Sequence, residues 1–326
     1  MKTCWIVTQD HKAVFEWREM PVPQPKAGEI VMRMRATAMN YGEISVGGAV
    51  HGGPEKLGGN EAAGEVHAVG AGVTAFRPGD RVFGRVRGGF AEYSAALAHQ
   101  VMPMPPQLTW EQAAAIPVSF LTAYEMLYAP YGKLRAGEWL LVTGASSGTG
   151  AACIQIAKMI GAHTIGTSGS AEKLAQLKAI GLEVPIATRS ANFAAQVKAA
   201  TGGKGADVAV NLVGGSVFAE CVSSLARHGR LAVVGYLDGV LEAKIDLSAV
   251  HVNRLEIFGI SNTRLTVEER AQAVSGFARD VLPAFADGRI TPLIGRVFAF
   301  DELPAAKAYM ESNAHLGKIV VRMQDA

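Results

Sequence analysis

Glycine and hydroxyl residues, Gly144-Ala-Ser-Ser-Gly148-Thr-Gly150, separate an apolar stretch, Leu140-Leu-Val-Thr143, from a segment where Ile154 and Ala157 recur at helical spacing. A strand, a tight turn and a helix in this order suit the binding of a dinucleotide. Small residues let the backbone pass close to a pyrophosphate, and the N–H groups opening the helix supply donors and partial positive charge. A second apolar run, Ala162 to Ile165, follows as the next strand would. Gly144-Ala-Ser146-Ser-Gly148 also fits the G-x-S-x-G elbow of serine hydrolases, and His51-Gly-Gly imitates an oxyanion loop. That fold needs a strand-turn-helix series before the elbow, whereas a Gly-rich β region precedes it here. A nonenzymatic NADPH-binding protein that keeps the turn for sensing is a third reading.

The end of the second strand speaks to the kind of nucleotide. A site for NAD places Asp or Glu there, about 20 residues past the glycine turn, to accept from the ribose 2′-hydroxyl. Thr167-Ser-Gly-Ser170 stands there instead. No carboxylate repels a 2′-phosphate, Ser168 and Ser170 offer hydroxyls, and Lys173 adds a charge one turn on, so the pattern favours NADPH. Against it stand Glu172 nearby and the alternative of Lys173 as a solvated helix residue.

The elements that must hold these residues fall into two blocks of a 326-residue chain, long enough for two cores. Up to about Gln107 there are short β-like runs between Gly and Pro: Glu29 to Arg35, Ala63 to Val69, Asp80 to Val86 and Ala91 to Ser94. They predict a compact, barrel-like β domain. Helical pattern begins at Trp110 to Ala115 and Leu121 to Tyr128. Alternation then predicts strands at Trp139 to Thr143, His163 to Thr167, Val184 to Ala187, Val208 to Leu212, Leu231 to Gly235 and Leu255 to Ile260, a doubly wound parallel sheet. A helix around Val267 to Asp287, then Pro292 to Phe300, Asp301 to Ser312 and a strand at Lys318 to Met323 complete the chain. With 31 basic and 29 acidic residues and no basic run interleaved with aromatics, nucleic acid is excluded as a main partner. No stretch reaches membrane-spanning length, and the N-terminus turns polar too early for a signal peptide, so a cytoplasmic protein is expected. Cys4, Cys153 and Cys221 are scattered singly, as buried thiols are in a reducing compartment.

Read end to end, the chain resembles the medium-chain dehydrogenase/reductase superfamily, in its zinc-free quinone oxidoreductase (zeta-crystallin-like) branch. The resemblance is carried by Met39-Asn-Tyr-Gly-Glu43, Gly59-Asn-Glu-Ala-Ala-Gly64, Val69-Gly-Ala-Gly-Val-Thr-Ala-Phe-Arg-Pro-Gly-Asp-Arg-Val82, Gly89-Phe-Ala-Glu-Tyr93, Ala113-Ala-Ala-Ile-Pro117, Leu121-Thr-Ala-Tyr-Glu125 and the glycine turn. It implies an α/β protein: a GroES-like, β-barrel-type catalytic domain from residues 1–120 and 261–326, a Rossmann domain from 121–260, and a cofactor cleft where they meet. It also implies a homodimer formed through Rossmann edge strands, for which the apolar run Leu255 to Ile260 is suited.

Zinc members of the superfamily carry a metal-binding Cys where this sequence has Asn40, a His where it has Asn60, and a Cys or acid near Val118. None of the three offers zinc a thiolate or imidazole, so no metal is expected. Without a Lewis acid the expected reaction is hydride transfer from NADPH to a small electron-poor acceptor, a quinone or an α,β-unsaturated carbonyl. By resemblance, Asn40 and Thr122 hold the nicotinamide end. Ser146, Ser147, Gly148 and Thr149 meet the pyrophosphate, and Ser168 and Lys173 the 2′-phosphate. Asn211, Gly235, Tyr236, Phe258, Gly259 and Lys318 complete the cofactor set. Catalytic roles fall to Asn40, Tyr41 and His51. Relatives carry tyrosines thought to sit near substrate where this chain has Ser45 and His51. His51 could supply the proton an enone needs, or be an exposed loop residue. Asn40 has the alternative of a turn former, and Tyr41 that of a core residue. Asp80-Arg81 reads as turn chemistry before a strand.

Overall fold

The computed structural model describes residues 1–10, 12–44, 55–261 and 265–324. The chain divides into two compact units, Met1–Leu121 with Val267–Ala326, and Thr122–Thr266.

In the second unit, Leu140, Leu141, Val142, Ile165, Val208, Ala209, Val210, Leu231 and Ala232 are all buried, the continuous apolar runs of strands covered on both faces. They lie in a parallel sheet whose spatial order is Val184–Ala187, His163–Ser168, Trp139–Val142, Ala206–Asn211, Leu225–Val233, Glu256–Gly259. The chain starts in the middle, winds outward to one edge, then returns and winds to the other. This is the doubly wound arrangement expected from the alternating pattern, and its direction reverses between Trp139–Val142 and Ala206–Asn211, where the loops that follow open a crevice for a ligand. The fifth strand starts six residues before the expected Leu231, because His228 takes a left-handed conformation (φ 62°) and the register slips, letting Leu225 pair with Ala206 ahead of the bulge. Buried Arg230 ties this unit together, donating to the Gly132 and Lys133 carbonyls and to Glu138 at 2.7 Å.

In the first unit the long strand Glu29–Met39 is central. It pairs antiparallel with Glu61–Val69, Tyr93–Leu97 and Lys318–Arg322, and the sheet continues to Arg81–Arg85 and Val101–Pro103 on one side and Ile294–Ala299 on the other. Two registers matter for chemistry: Ile319 lies opposite Met39, and Ala62 opposite Thr37. Continuing each by one residue sets Lys318 beside Asn40 and brings Glu61 alongside. Lys2–Gln9 and Lys12–Glu19 form a hairpin not anticipated from sequence. The expected helix over Val267 to Asp287 is two, Val267–Asp280 and Leu282–Ala286, with Pro283 in the first turn of the second. Asp80 and Arg81 act structurally, as expected: the Asp80 carboxylate accepts from the Arg77 N–H, and the Arg81 guanidinium lies 4.4 Å from the Trp110 ring centre.

Candidate active site

The glycine turn has the predicted form. Gly144 is left-handed (φ 64°), and Ser147 caps the helix Gly148–Ile160 by accepting from the Gly150 N–H at 3.0 Å. A Cβ on Gly150 would sit 2.7 Å from the Gly144 and Ala145 carbonyl oxygens, so only glycine lets helix and turn close up. Ser146, Ser147, Gly148 and Thr149 are partly exposed at this N-terminus. Ser146 Oγ lies 3.1 Å from Ser168 Oγ, which joins the turn to the end of the second strand. Ser170 caps the following helix by accepting from the Lys173 N–H. Among the described residues no histidine or acid is bonded to Ser146, and the hydrolase elbow lacks its triad.

Beside these hydroxyls stands a cation that sequence reasoning missed. Arg189 lies against Gly169, where a built Cβ would fall 2.7 Å from Arg189 Cγ and Nε. Its loop is shaped by Thr188, whose hydroxyl oxygen donates to Asn192 and accepts from the Ser190 N–H. Burial first, and the Arg189 charge second, hold the Lys173 ammonium below the usual lysine range, with Glu172 opposing both. Two cations that repel one another near these hydroxyls could hold an anion. No local pattern in the sequence marks Arg189; it arrives because Val184–Ala187 pairs in parallel beside His163–Ser168 and so ends at the same edge.

At Asn40 the first unit holds a buried polar network. Lys318 Nζ donates to Asn40 Oδ1 at 2.7 Å, Glu61 Oε1 at 2.7 Å and the Met39 carbonyl at 3.2 Å. Asn40 Nδ2 donates to Glu61 Oε1 at 2.8 Å and to Glu43 Oε1 at 2.7 Å. Glu61 Oε2 accepts from the Val118 N–H, in the first turn of the helix Pro117–Leu127, where the orphan donors favour an anion. Glu61, Glu43 and Lys318 are 0, 2 and 5% exposed, so their charges meet each other rather than water. Both Asn40 amide hydrogens are committed. The side chain can accept one further hydrogen bond but cannot donate to a substrate carbonyl. Burial pushes the Glu43 carboxyl up to about 7.

The other expected residues divide. Asn211 is buried and its amide holds the turn after its strand, accepting from the Val213 and Gly214 N–H groups and donating to the Gly214 carbonyl. Gly235 packs against Leu212, whose carbonyl oxygen a Cβ would approach to 2.4 Å. Tyr236 is 45% exposed and Tyr41 38%, so Tyr41 is not a core residue. Phe258 stacks on Tyr131 with ring centres 5.4 Å apart, next to exposed Gly259. Thr122 is buried. Ser45 and His51 lie outside the described residues. Cys4, Cys153 and Cys221 are free and buried, and burial raises the pKa of each thiol. Among the described residues no helix is long and apolar enough to cross a membrane.

Comparison with known proteins agrees with this layout. Residues 26–106 match the family model of the alcohol dehydrogenase GroES-like domain, and residues 148–278 that of zinc-binding dehydrogenase. A quinone oxidoreductase of Rattus norvegicus is 29% identical over 311 residues, 93% of this chain and 92% of that protein. The chain belongs to the medium-chain dehydrogenase/reductase superfamily, on its quinone oxidoreductase branch. Its fold is accordingly α/β, a GroES-like domain with a Rossmann domain. The structure of mycobacterial Rv1454c complexed with NADPH is similar over 99% of both chains, with a TM-score of 0.89 and 26% identity. A phenolphthiocerol/phthiocerol polyketide synthase of Mycobacterium tuberculosis is 30% identical over 301 residues, 91% of this chain. The chain spans only 14% of that relative's length.

Proposed function

We propose that this medium-chain oxidoreductase is an NADPH-dependent, zinc-independent reductase that passes hydride to a quinone or an α,β-unsaturated carbonyl. NADPH, when bound, supplies the hydride. The chain's residues fit it: Gly144 and Gly150 keep the turn open to a pyrophosphate, the helix from Gly148 aims N–H donors at it, and Ser168, Lys173 and Arg189 meet a 2′-phosphate. Asn40, whose oxygen has one acceptor position left among the described residues, could accept from the carboxamide of a bound nicotinamide. Both the mycobacterial structure with NADPH and the rat quinone oxidoreductase support this cofactor and reaction class.

For the reaction class, the deciding observation is the Lys318 ammonium held by three oxygens beside Asn40. The residues at the zinc positions do not fit zinc. Asn40 presents an amide, Asn60 replaces an imidazole, Val118 offers only its backbone N–H, and a tethered cation already satisfies the nearby carboxylate. The acceptor must therefore be electron-poor before it binds. His51 remains our candidate proton donor for an enone.

A homodimer through the Glu256–Gly259 edge is part of the same reading. The opposite edge carries Pro185, which has no N–H to offer a further strand. On the Glu256–Gly259 strand Ile257 is 37% exposed, and in the helix Leu247–Asn253 that precedes it Leu247 and Val252 are 73 and 65% exposed, apolar surface that a second copy would cover. A panel of quinones, enones, alkenals, enoyl thioesters and simple ketones, assayed by NADPH oxidation on protein of measured zinc content, tests the proposal. It predicts turnover of the first classes at wild-type rate after chelation. Turnover confined to simple ketones or to zinc-loaded protein would overturn it.

A further inference from the structure

In the network around Asn40, Glu43 is the member whose role is unassigned. Its Oε1 accepts from Asn40 Nδ2, yet its Oε2 is buried with no hydrogen-bond partner among the described residues. A buried carboxylate oxygen without a donor is unfavourable, whereas a protonated one asks only for an acceptor. Lys318 and Glu61 already cancel each other at 2.7 Å, so the net charge of the cluster is that of Glu43: zero with the proton, minus one without it.

Resting on the reading that Asn40 faces the nicotinamide, we propose that Glu43 is a positioning residue that couples its proton to the oxidation state of the bound cofactor. The reduced ring is neutral and the oxidised ring carries a positive charge. Glu43, one side chain removed, holds its proton more tightly beside the first and releases it to water more readily beside the second. Exchanging NADPH for NADP⁺ removes a hydride equivalent from the cofactor pocket and, near pH 7, a fraction of a proton from Glu43. Among the described residues, the charged groups facing Glu43 are Glu61 and Lys318 from neighbouring strands and Lys56 from Glu55–Leu57. Burial is the largest influence on the carboxyl and Glu61 adds to it, while the Asn40 hydrogen bond, Lys318 and Lys56 oppose it. The balance sets its titration near neutrality.

The test is the ratio of dissociation constants, NADP⁺ to NADPH, between pH 6 and 8.5. Titration of the 2′-phosphate is common to both ligands and cancels. Coulombic coupling across one side chain predicts that the ratio falls roughly three- to tenfold as pH rises. In Glu43→Gln the ratio should be flat. Calorimetry of the wild-type protein in buffers of different ionisation enthalpy should independently show more proton release with NADP⁺ than with NADPH near pH 7. A wild-type ratio that does not change with pH, or equal proton release, would overturn the coupling while leaving NADPH binding intact. The same slope retained in Glu43→Gln would assign the proton elsewhere. Failure of both nucleotides to bind would instead remove the functional reading on which the inference stands.

Discussion

Replacing Arg189 by alanine should convert much of a preference for NADPH into indifference. Arg189 lies against Gly169 at the end of the second strand, close enough to Lys173 to depress that ammonium's pKa. A 2′-phosphate reaching this corner gains a charge-assisted hydrogen bond from each cation and relieves their repulsion. Each such bond contributes roughly 1.5–3 kcal/mol, so Arg189→Ala or Lys173→Ala alone should raise the dissociation constant for NADPH about ten- to a hundredfold. NADH, lacking the phosphate, should change less than about twofold. The two substitutions together should cost less than the sum of the singles, because each cation in the free protein is destabilised by the other. Arg189 is exposed, so added salt should weaken NADPH binding and leave NADH binding nearly unaffected. Fluorescence titration of both nucleotides against wild type, the two single variants and the double variant gives all eight constants. Equal weakening of both cofactors by Arg189→Ala would mean that Arg189 supports the loop or the pyrophosphate, and the 2′-phosphate assignment would fall.

Other consequences follow from the Asn40 network and the sheet edge. Lys318→Met leaves the Glu61 carboxylate buried without its cation, which should cost about 3–5 kcal/mol of stability, and adding Glu61→Gln should restore a large part of it; denaturant unfolding of the four proteins measures both. Glu43, with its carboxyl raised from 4.5 to about 7, keeps a proton in the folded protein that the unfolded chain has lost between those pH values. Stability should therefore fall as pH rises through that window, by about 3 kcal/mol in full above it, and melting of Glu43→Gln should lack this slope. Light scattering should find the wild type as the proposed dimer at micromolar concentration, and Ile257→Asp, which puts a charge on the exposed edge strand, should shift it to monomer with NADPH affinity unchanged.

The parallel sheet was legible because its strands are buried and read as apolar runs, and because Gly144 and Gly150 mark the turn between its first strand and helix. What escaped has physical causes. The hairpin Lys2–Gln9 and Lys12–Glu19 has no glycine turn and its first strand, KTCWIVTQ, shows no clean alternation, so local sequence carries little signal for its pairing. Arg189 is an ordinary loop residue until the third strand docks beside the second. The partnership of Glu61 with Lys318 spans most of the chain and depends on the register that sets Ile319 opposite Met39. Lys318 itself was expected from the resemblance as a cofactor contact. In the structure its ammonium donates to Met39, Asn40 and Glu61.

The central claim is direct hydride transfer from NADPH to an electron-poor carbon without a metal. Its most direct test is product mass spectrometry after turnover of an α,β-unsaturated ketone with NADPH deuterated at C4, using each of the two C4 epimers in turn and chelated protein of verified zinc content. The account predicts one deuterium at the carbon β to the carbonyl, from one epimer only, with the proton at the α carbon drawn from water. Product without deuterium from either epimer, or deuterium transfer that appears only when zinc is restored, would contradict it.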